Sequence, residues 1–298
     1  MSGNNTLCIL GCGNLGTAIL KSLLASEEQL FTHYIACVQS ESSKERLTSQ
    51  FSDSSSLTVS ISDNVSAVQQ SSVTILALDP SIIETGLKRP GLREAVSGKL
   101  LISVAAGWTR QKLEETIYGT TPSSSENENE TRAFIIRTLP NIAALVSQSL
   151  TAIEIEPSRE IPPHHLTLTD NIFSRVGKTI HIPPSLIDAT TAVAGSTPAM
   201  FAVIVDAMID AAVAVGVPRN MAHTMIFQSM QGTVSMLQSG VHPALLKDQG
   251  TSPEGCTIGG LMVMEENGVR GHVGRALREA VTLARRMDGV RHVNDTRE

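Results

Sequence analysis

The chain has 298 residues, 41% of them hydrophobic, and a formal net charge of -6 at pH 7. This length predicts two domains with enough apolar material for a buried core. An acidic balance and an aromatic content of 3% argue against a nucleic-acid-binding protein, which needs a clustered basic surface and stacking platforms. A charged fraction of 17% is too low for a disordered chain.

The N-terminus, the apolar segments and the cysteines together predict a cytoplasmic protein. Residues 1–16 have no cationic region ahead of their apolar stretch, so we expect a first core strand there and no signal peptide. The longest apolar segment, 199–217, contains Asp206 and Asp210, and no membrane span is therefore expected. The four cysteines include no CxxC pair, which favours a reducing compartment, and no metal site is predicted.

The N-terminal part alternates short apolar segments with amphipathic ones. Strands are expected at 7–10, 34–38, 58–60, 73–77, 100–103, 133–137 and 150–155. Most of them are apolar on both faces, as strands buried in a parallel sheet are. Residues 1–183 are therefore predicted to form an α/β domain with a doubly wound, Rossmann-type sheet. The polar, low-complexity segment 121–131 is predicted to be a solvated loop.

The C-terminal part, residues 184–298, is predicted to be an all-α domain. Helices are expected at 198–216, 219–239, 257–267 and 272–287. Segment 199–215 is apolar nearly all round, and such a helix has to be buried. A domain this small cannot bury several of these helices alone, so we expect a second subunit to cover them in a homodimer or a higher assembly.

A glycine-rich turn follows the first predicted strand and opens a helix. It contains, in order, Gly11, Cys12, Gly13, Asn14, Leu15 and Gly16. In the GxGxxG pattern the first glycine allows a tight turn, the second lets the backbone approach a pyrophosphate, and the third lets helix and strand pack closely. The following N–H groups bind the anion, so this turn predicts a dinucleotide site.

The end of the second predicted strand bears on the choice of cofactor. An acidic residue there would bind the ribose hydroxyl of NADH and repel the 2′-phosphate of NADPH. Here the strand ends at Gln39 and Ser40, and the cations Lys44 and Arg46 follow closely. The sequence favours NADPH, while Glu41 leaves NADH possible.

Motifs along nearly the whole chain resemble the pyrroline-5-carboxylate reductase family. The C-terminal part contains AVAGSTPAM at 192–200, AVGVPRNMA at 214–222 and HPALLKDQGTSPEGCTIGGLMVMEENGVRG at 242–271. The N-terminal part agrees through Asp63-Asn64, ISVAAG at 102–107 and RTLPN at 137–141. The resemblance implies a small cyclic imino acid as substrate, foremost 1-pyrroline-5-carboxylate. By the same resemblance, the substrate would be reduced to L-proline by hydride transfer from NAD(P)H to the C=N carbon.

The same resemblance implies which residues bind the substrate and the cofactor. The substrate carboxylate would be bound by Ser252, Gly255, Cys256 and Thr257, at the predicted start of a helix, where N–H groups favour an anion. Thr257 would also hydrogen-bond the ring nitrogen as the catalytic residue, although it could instead be only an N-cap. The cofactor would be lined by Asn64 at its adenosine side, Asn141 near its nicotinamide, and Ala77, Asp79, Pro80, Ala105 and Gly107.

Three positions depart from the family pattern. Asp79 stands where a lysine is usual, Glu254 replaces a glycine in the substrate loop, and Gly250 replaces a β-branched residue. The two added negative charges leave open a ring-substituted or otherwise modified cyclic imine as substrate. A non-catalytic NADP-binding sensor is the alternative from another class of protein. A β-hydroxyacid dehydrogenase is the rival enzyme, but it requires a catalytic lysine, and segment 186–217 contains none.

Overall fold

The computed structural model of the chain describes residues 5–119, 132–156 and 161–286. The predicted loop at 121–131 lies outside the described residues. The chain divides into two compact units: one extends to Gly195 and includes the chain again from Leu283, and the other is Ser196–Thr282. The division of the domains between residues 183 and 184 stays a prediction.

The first unit is built on one sheet of eight strands in the order β3-β2-β1-β4-β5-β6-β7-β8. Neighbouring strands run parallel except for β6 and β7, which are antiparallel. This arrangement confirms the predicted doubly wound sheet. The strands are β1 Thr6–Leu10, β2 His33–Val38, β3 Leu57–Ile61, β4 Val73–Leu76, β5 Leu100–Ser103, β6 Phe134–Leu139, β7 Ser149–Glu154 and β8 Gly177–Ile182.

Both faces of the central strands are buried. Along β1, Leu7 and Ile9 belong to one apolar core, and Cys8 and Leu10 belong to a second core on the other face. The covering helices are α1 Asn14–Leu24, α2 Glu41–Gln50, α3 Asn64–Gln69, α4 Ile83–Leu87, α5 Leu92–Val96, α6 Arg110–Tyr118 and α7 Pro163–Ser174. Two 3₁₀ helices, Ile142–Val146 and Pro184–Leu186, and α8, Ile187–Val193, complete this part of the chain.

Strand β8 was not among the predicted strands. It pairs only with β7 in the sheet order and therefore lies at an edge. Lys178, Ile180 and His181 are exposed along it. An edge strand has no need of the continuous apolar run that reveals a central strand in the sequence.

The second unit is helical, and much of its apolar surface is uncovered within the chain. It contains α9 Thr197–Ala214, α10 Arg219–Gln238, α11 Pro243–Gln249, α12 Cys256–Glu266 and most of α13 Val269–Arg285. Ile209 is the single buried residue of α9, and Ala222 is that of α10. Exposed apolar side chains of this unit include Phe201, Val203, Val215, Met225, Phe227, Leu245 and Val263. Such a surface requires an apolar partner.

One run of helix, Pro184–Ala214, is long and apolar enough to cross a membrane by length and composition. Length and composition alone do not make this run a membrane span, so the expectation that the chain has none stays a prediction. A turn at 194–196 interrupts it, and Asp206 and Asp210 lie in its second half.

Candidate active site

The glycine-rich turn lies where β1 and β4 end side by side. Gly11 has φ 96°, and a Cβ atom there would lie 2.5 Å from the carbonyl oxygen of Ala77, which follows β4. A Cβ atom on Gly16 would collide with the carbonyl oxygen of Gly11. These two glycines allow backbone to pack directly against backbone, so the sequence pattern here reflects a steric requirement.

Gly13 has a different environment, because a Cβ atom there would meet nothing within 4 Å. It is the N-cap residue of α1, and no side chain caps this end of the helix. The first backbone bond at this end runs from the Thr17 N–H to the Gly13 carbonyl, at 2.9 Å. The N–H groups of Asn14, Leu15 and Gly16 have no acceptor among the described residues, and they favour an anion over this open backbone.

A cavity of about 230 Å³ opens beside the turn at the point where the strand order reverses. In doubly wound sheets this is where dinucleotides bind. Five of the predicted cofactor residues line it: Gly11, Gly13, Asn64, Ala77 and Asp79. Further lining residues include Cys12, Cys37, Gln39, Ser43, Arg46, Ser62 and Arg89. The other predicted cofactor residues are not among those that line this cavity: Asn14, Leu15, Gly16, Ser40, Pro80, Ala105, Gly107 and Asn141.

Helix α2 brings the hydroxyl of Ser43 and the cation Arg46 to the cavity. Ser40 is the N-cap residue, and its hydroxyl accepts a hydrogen bond from the Ser43 N–H at 3.2 Å. Arg46 donates from Nη2 to the carbonyl oxygen of Cys12 at 2.8 Å, which ties α2 to the glycine-rich turn. Glu41 forms an exposed ion pair with Lys44 at 3.7 Å.

Asp79 provides the negative charge of the cavity. Its Oδ1 accepts hydrogen bonds from the Ser81 hydroxyl at 2.5 Å and from the Ser81 N–H at 2.9 Å. The hydroxyl above all, and then the N–H, hold the pKa of Asp79 below its ordinary value. The carbonyl of the next residue, Pro80, accepts from the indole N–H of Trp108 at 3.1 Å. Trp108 thereby joins the loop after β4 to the segment after β5 that contains Ala105 and Gly107.

The side chain of Asn141 holds the backbone through both of its polar atoms. Its Oδ1 accepts from the Ala143 N–H at 3.1 Å, and its Nδ2 donates to the carbonyl oxygen of Ala194 at 2.8 Å. Its own N–H donates to the Ser149 hydroxyl at 2.9 Å. Asn141 therefore anchors the 3₁₀ helix Ile142–Val146, and its placement beside the nicotinamide stays a prediction.

Three cysteines lie in the glycine-rich turn or on the adjoining strands β1 and β2 as small core residues. Cys8, Cys12 and Cys37 are buried, and the sulfur atoms of Cys8 and Cys37 lie 3.8 Å apart. Burial is the main cause that raises the pKa of the Cys12 thiol. The neutral thiol is consequently the stable form at physiological pH, and a nucleophilic role for Cys12 is disfavoured.

The predicted substrate loop ends in an open helix start. Gly255, not Thr257, is the N-cap residue of α12, and the alternative in which Thr257 is only an N-cap was therefore wrong. The first backbone bond runs from the Gly259 N–H to the Gly255 carbonyl at 3.3 Å. The N–H groups of Cys256, Thr257 and Ile258 have no acceptor in the described part of the chain, and neither has the exposed Thr257 hydroxyl. This end of α12 thus offers several donors for an anion.

Sterics fix the shape of this loop. A Cβ atom on Gly255 would lie 2.5 Å from the hydroxyl oxygen of Ser252, so any larger residue would displace Ser252. Glu254 has φ 60°, a left-handed conformation that glycine adopts more readily. Position 254 is one of the three at which the chain departs from the family pattern, and its backbone retains the conformation that suits the usual glycine.

Sequence comparisons first define the class of protein. A family model described as NADP oxidoreductase, coenzyme F420-dependent, matches residues 6–107. A second, described as pyrroline-5-carboxylate reductase dimerisation, matches residues 184–287. The chain is thus an oxidoreductase that combines a dinucleotide-binding domain with a helical dimerisation domain, and the second match includes the whole apolar run Pro184–Ala214.

Relatives along the full length then give the family. A pyrroline-5-carboxylate reductase of Lophium arboricola is 40% identical over 98% of this chain and 96% of its own length. A pyrroline-5-carboxylate reductase of Neurospora crassa is 33% identical over 99% of this chain and 97% of its own length. The chain belongs to the pyrroline-5-carboxylate reductase family, which confirms the resemblance found in its motifs and decides against a β-hydroxyacid dehydrogenase.

A solved structure agrees with the fold. The pyrroline carboxylate reductase of Plasmodium falciparum with NADP bound matches 96% of this chain and 98% of its own, with a TM-score of 0.79 and 24% sequence identity.

Proposed function

We propose that this chain reduces 1-pyrroline-5-carboxylate to L-proline with NADPH, as a homodimer. The observation that carries the proposal is family membership over nearly the whole chain, together with an intact glycine-rich turn. We further propose that the protein is cytoplasmic and acts on a small molecule without a nucleic acid or a membrane. The apolar surface of α9 and α10 is then covered by a second copy of the dimerisation domain.

The donors around the cavity fit a phosphorylated dinucleotide. The free N–H groups of Asn14, Leu15 and Gly16 would bind the pyrophosphate over the open backbone of Gly13. Ser40, Ser43 and Arg46 follow β2, as the N-cap and residues of α2, beside the strand end where the ribose of such a cofactor binds. The absence of a carboxylate at Gln39 favours NADPH, and the exposed Glu41 leaves weaker use of NADH open.

The open start of α12 fits the carboxylate of the substrate. Its N–H groups, with Ser252 and Gly255 shaping the loop, would bind the carboxylate, and the Thr257 hydroxyl would hydrogen-bond the ring nitrogen. The imine is protonated readily, and an iminium carbon is already electron-poor, so no strong protein acid is required. The nicotinamide supplies the hydride when the cofactor is bound. The protein orients the ring and stabilises its N–H.

The direct test is the loss of NADPH absorbance when 1-pyrroline-5-carboxylate is added to the purified protein, repeated with NADH. Rapid NADPH oxidation with formation of L-proline supports the proposal. A panel of ring-substituted and six-membered cyclic imines tests the second candidate, which the charges of Asp79 and Glu254 favour. Cofactor binding without oxidation by any of these imines would indicate a sensor and contradict the proposal.

Gly13→Ala and Gly16→Ala are expected to act differently. The added methyl of Gly16→Ala collides with the Gly11 carbonyl, so this variant loses about 1–3 kcal/mol of stability as well as cofactor affinity. The methyl of Gly13→Ala meets no protein atom, but it occupies the space over the backbone where the pyrophosphate would bind. We expect its NADPH Kd to rise about tenfold or more, with a Tm lowered only by the poorer capping of α1 by alanine. Calorimetric titration and thermal unfolding check both, and a Gly13→Ala variant with normal Kd would contradict this placement of the pyrophosphate.

Glu254→Gly is expected to lower the KM for the anionic substrate. The change removes a negative charge beside the proposed carboxylate site and leaves a residue that suits φ 60°. Because the charge is exposed, the effect is about two- to fivefold and shrinks as salt is added. Glu254→Gln, which removes only the charge, should reproduce the change in KM. If neither variant changes KM at low salt, Glu254 does not face the substrate.

A further inference from the structure

We propose that Arg89 determines cofactor specificity by binding, together with Arg46, the 2′-phosphate of NADPH. This inference rests on the proposed function and adds a residue to its cofactor site. Arg89 lines the same cavity as Gly11, Gly13 and Asn64, although it follows α4 and is remote in sequence from the glycine-rich turn.

A rigid turn places the backbone of Arg89. The N–H of Leu92 donates to the Arg89 carbonyl at 3.1 Å, and Pro90 and Gly91 occupy the two central positions. Gly91 has φ 85° and ψ -7°, the geometry of the third residue of a type II turn, which requires glycine. A Cβ atom on Gly91 would lie 3.3 Å from a methyl group of Val65, so the turn packs closely on α3, which begins at the cavity.

The guanidinium of Arg89 is anchored but retains its charge and most of its donors. Nη1 donates to the carbonyl oxygen of Ser62 at 2.7 Å, and Ser62 itself lines the cavity. Arg46 is anchored in the same manner, on the Cys12 carbonyl. Neither guanidinium pairs with a carboxylate among the residues that the structure describes. Two such groups on one cavity suit a phosphate dianion, which accepts several charge-assisted hydrogen bonds.

The position of the two arginines relative to the sheet indicates that they bind the 2′-phosphate and not the pyrophosphate. The pyrophosphate has its own donors at the start of α1. Arg46 lies on α2, which follows β2, and Ser62, the anchor of Arg89, follows β3. The ribose end of a dinucleotide lies at the end of β2 in this fold. The two arginines therefore approach from the β2 and β3 side, where NADPH differs from NADH.

Titration calorimetry with 2′,5′-ADP and 5′-AMP tests this inference without any turnover. In Arg89→Ala we expect the Kd for 2′,5′-ADP to rise about 10- to 100-fold, the usual cost of a charge-assisted hydrogen bond, with little change for 5′-AMP. Arg89→Gln keeps a donor for Ser62 and tests the charge alone. Lys88→Ala is the matched control, because this neighbouring cation pairs with Glu84 at 2.6 Å and does not line the cavity.

The outcomes separate this inference from the proposed function. A selective loss of 2′,5′-ADP affinity in both Arg89 variants, with Lys88→Ala unchanged, supports it. Equal weakening of both nucleotides would place Arg89 against the adenine or in the scaffold and overturn the inference, as would no change at all. A wild-type protein that binds neither nucleotide nor NADPH would overturn the proposed function itself.

Discussion

Thr257→Ala is expected to lower kcat/KM for 1-pyrroline-5-carboxylate by about one to three orders of magnitude, the usual cost of losing a hydrogen bond made in the transition state. The hydroxyl is exposed on the first turn of α12 and makes no hydrogen bond within the described chain. Its removal should therefore leave folding intact and affect turnover alone. Steady-state kinetics with saturating NADPH, accompanied by thermal unfolding, measure the two effects separately.

Two further variants make this test specific. Thr257→Ser keeps the hydroxyl and should retain most of the activity. Thr251→Ala removes a nearby hydroxyl that already donates to the Asp248 carbonyl at 2.7 Å, and it should change kcat/KM little. Wild-type kinetics in Thr257→Ala would remove this residue from the mechanism and leave only the N–H groups of α12 for the substrate.

Arg137→Ala is expected to destabilise the protein by about 3–5 kcal/mol, the usual cost of removing one partner from a buried ion pair. Arg137 on β6 donates from Nη1 to Glu154 Oε2 on β7 at 2.7 Å, and both side chains are 6% exposed. The pair joins the two strands at which the sheet changes from parallel to antiparallel. Without Arg137, the buried Glu154 carboxylate loses much of the charge interaction and hydrogen bonding that offset its desolvation.

The pH dependence of this loss follows from Glu154. Burial raises the pKa of Glu154 above its ordinary value, and the Arg137 charge opposes that rise. A carboxyl whose pKa is higher in the folded state favours folding while it is protonated. That contribution is lost as pH rises from the ordinary carboxyl pKa through the folded value. In Arg137→Ala the folded pKa rises further, so the deficit in stability should be larger at neutral pH than in mild acid.

Urea unfolding of wild type and Arg137→Ala across this pH range measures the effect. The double variant Arg137→Met, Glu154→Met removes both charges and keeps apolar volume, and it should recover most of the lost stability. If the double variant is as unstable as Arg137→Ala, the loss comes from packing and not from a buried charge.

Local sequence was enough to predict the central strands of the sheet, the glycine-rich turn and the start of α12. Apolar runs such as the one in β1 are dictated by burial on both faces. Gly16 is required by the Gly11 carbonyl within the same turn, whereas Gly11 is required by the carbonyl of Ala77, which is distant in sequence. The start of α12 also depends on the local sequence, because helix capping involves neighbouring residues. These elements follow recurrent local patterns, namely an apolar run, a glycine spacing and a helix start, and such patterns can be recognised in the sequence without the fold.

Long-range packing decided the remaining features. Strand β8 forms because β7 offers it an edge, and its own residues give little sign of it. Asn141 is held by the carbonyl of Ala194, and Glu154 is paired by a strand that runs the opposite way. The cavity acquires Arg89 only because a turn packs α5 against α3. Arg89 is distant in sequence from the rest of the site and reaches it only through tertiary contacts. The spacing of residues along the sequence does not reveal such contacts.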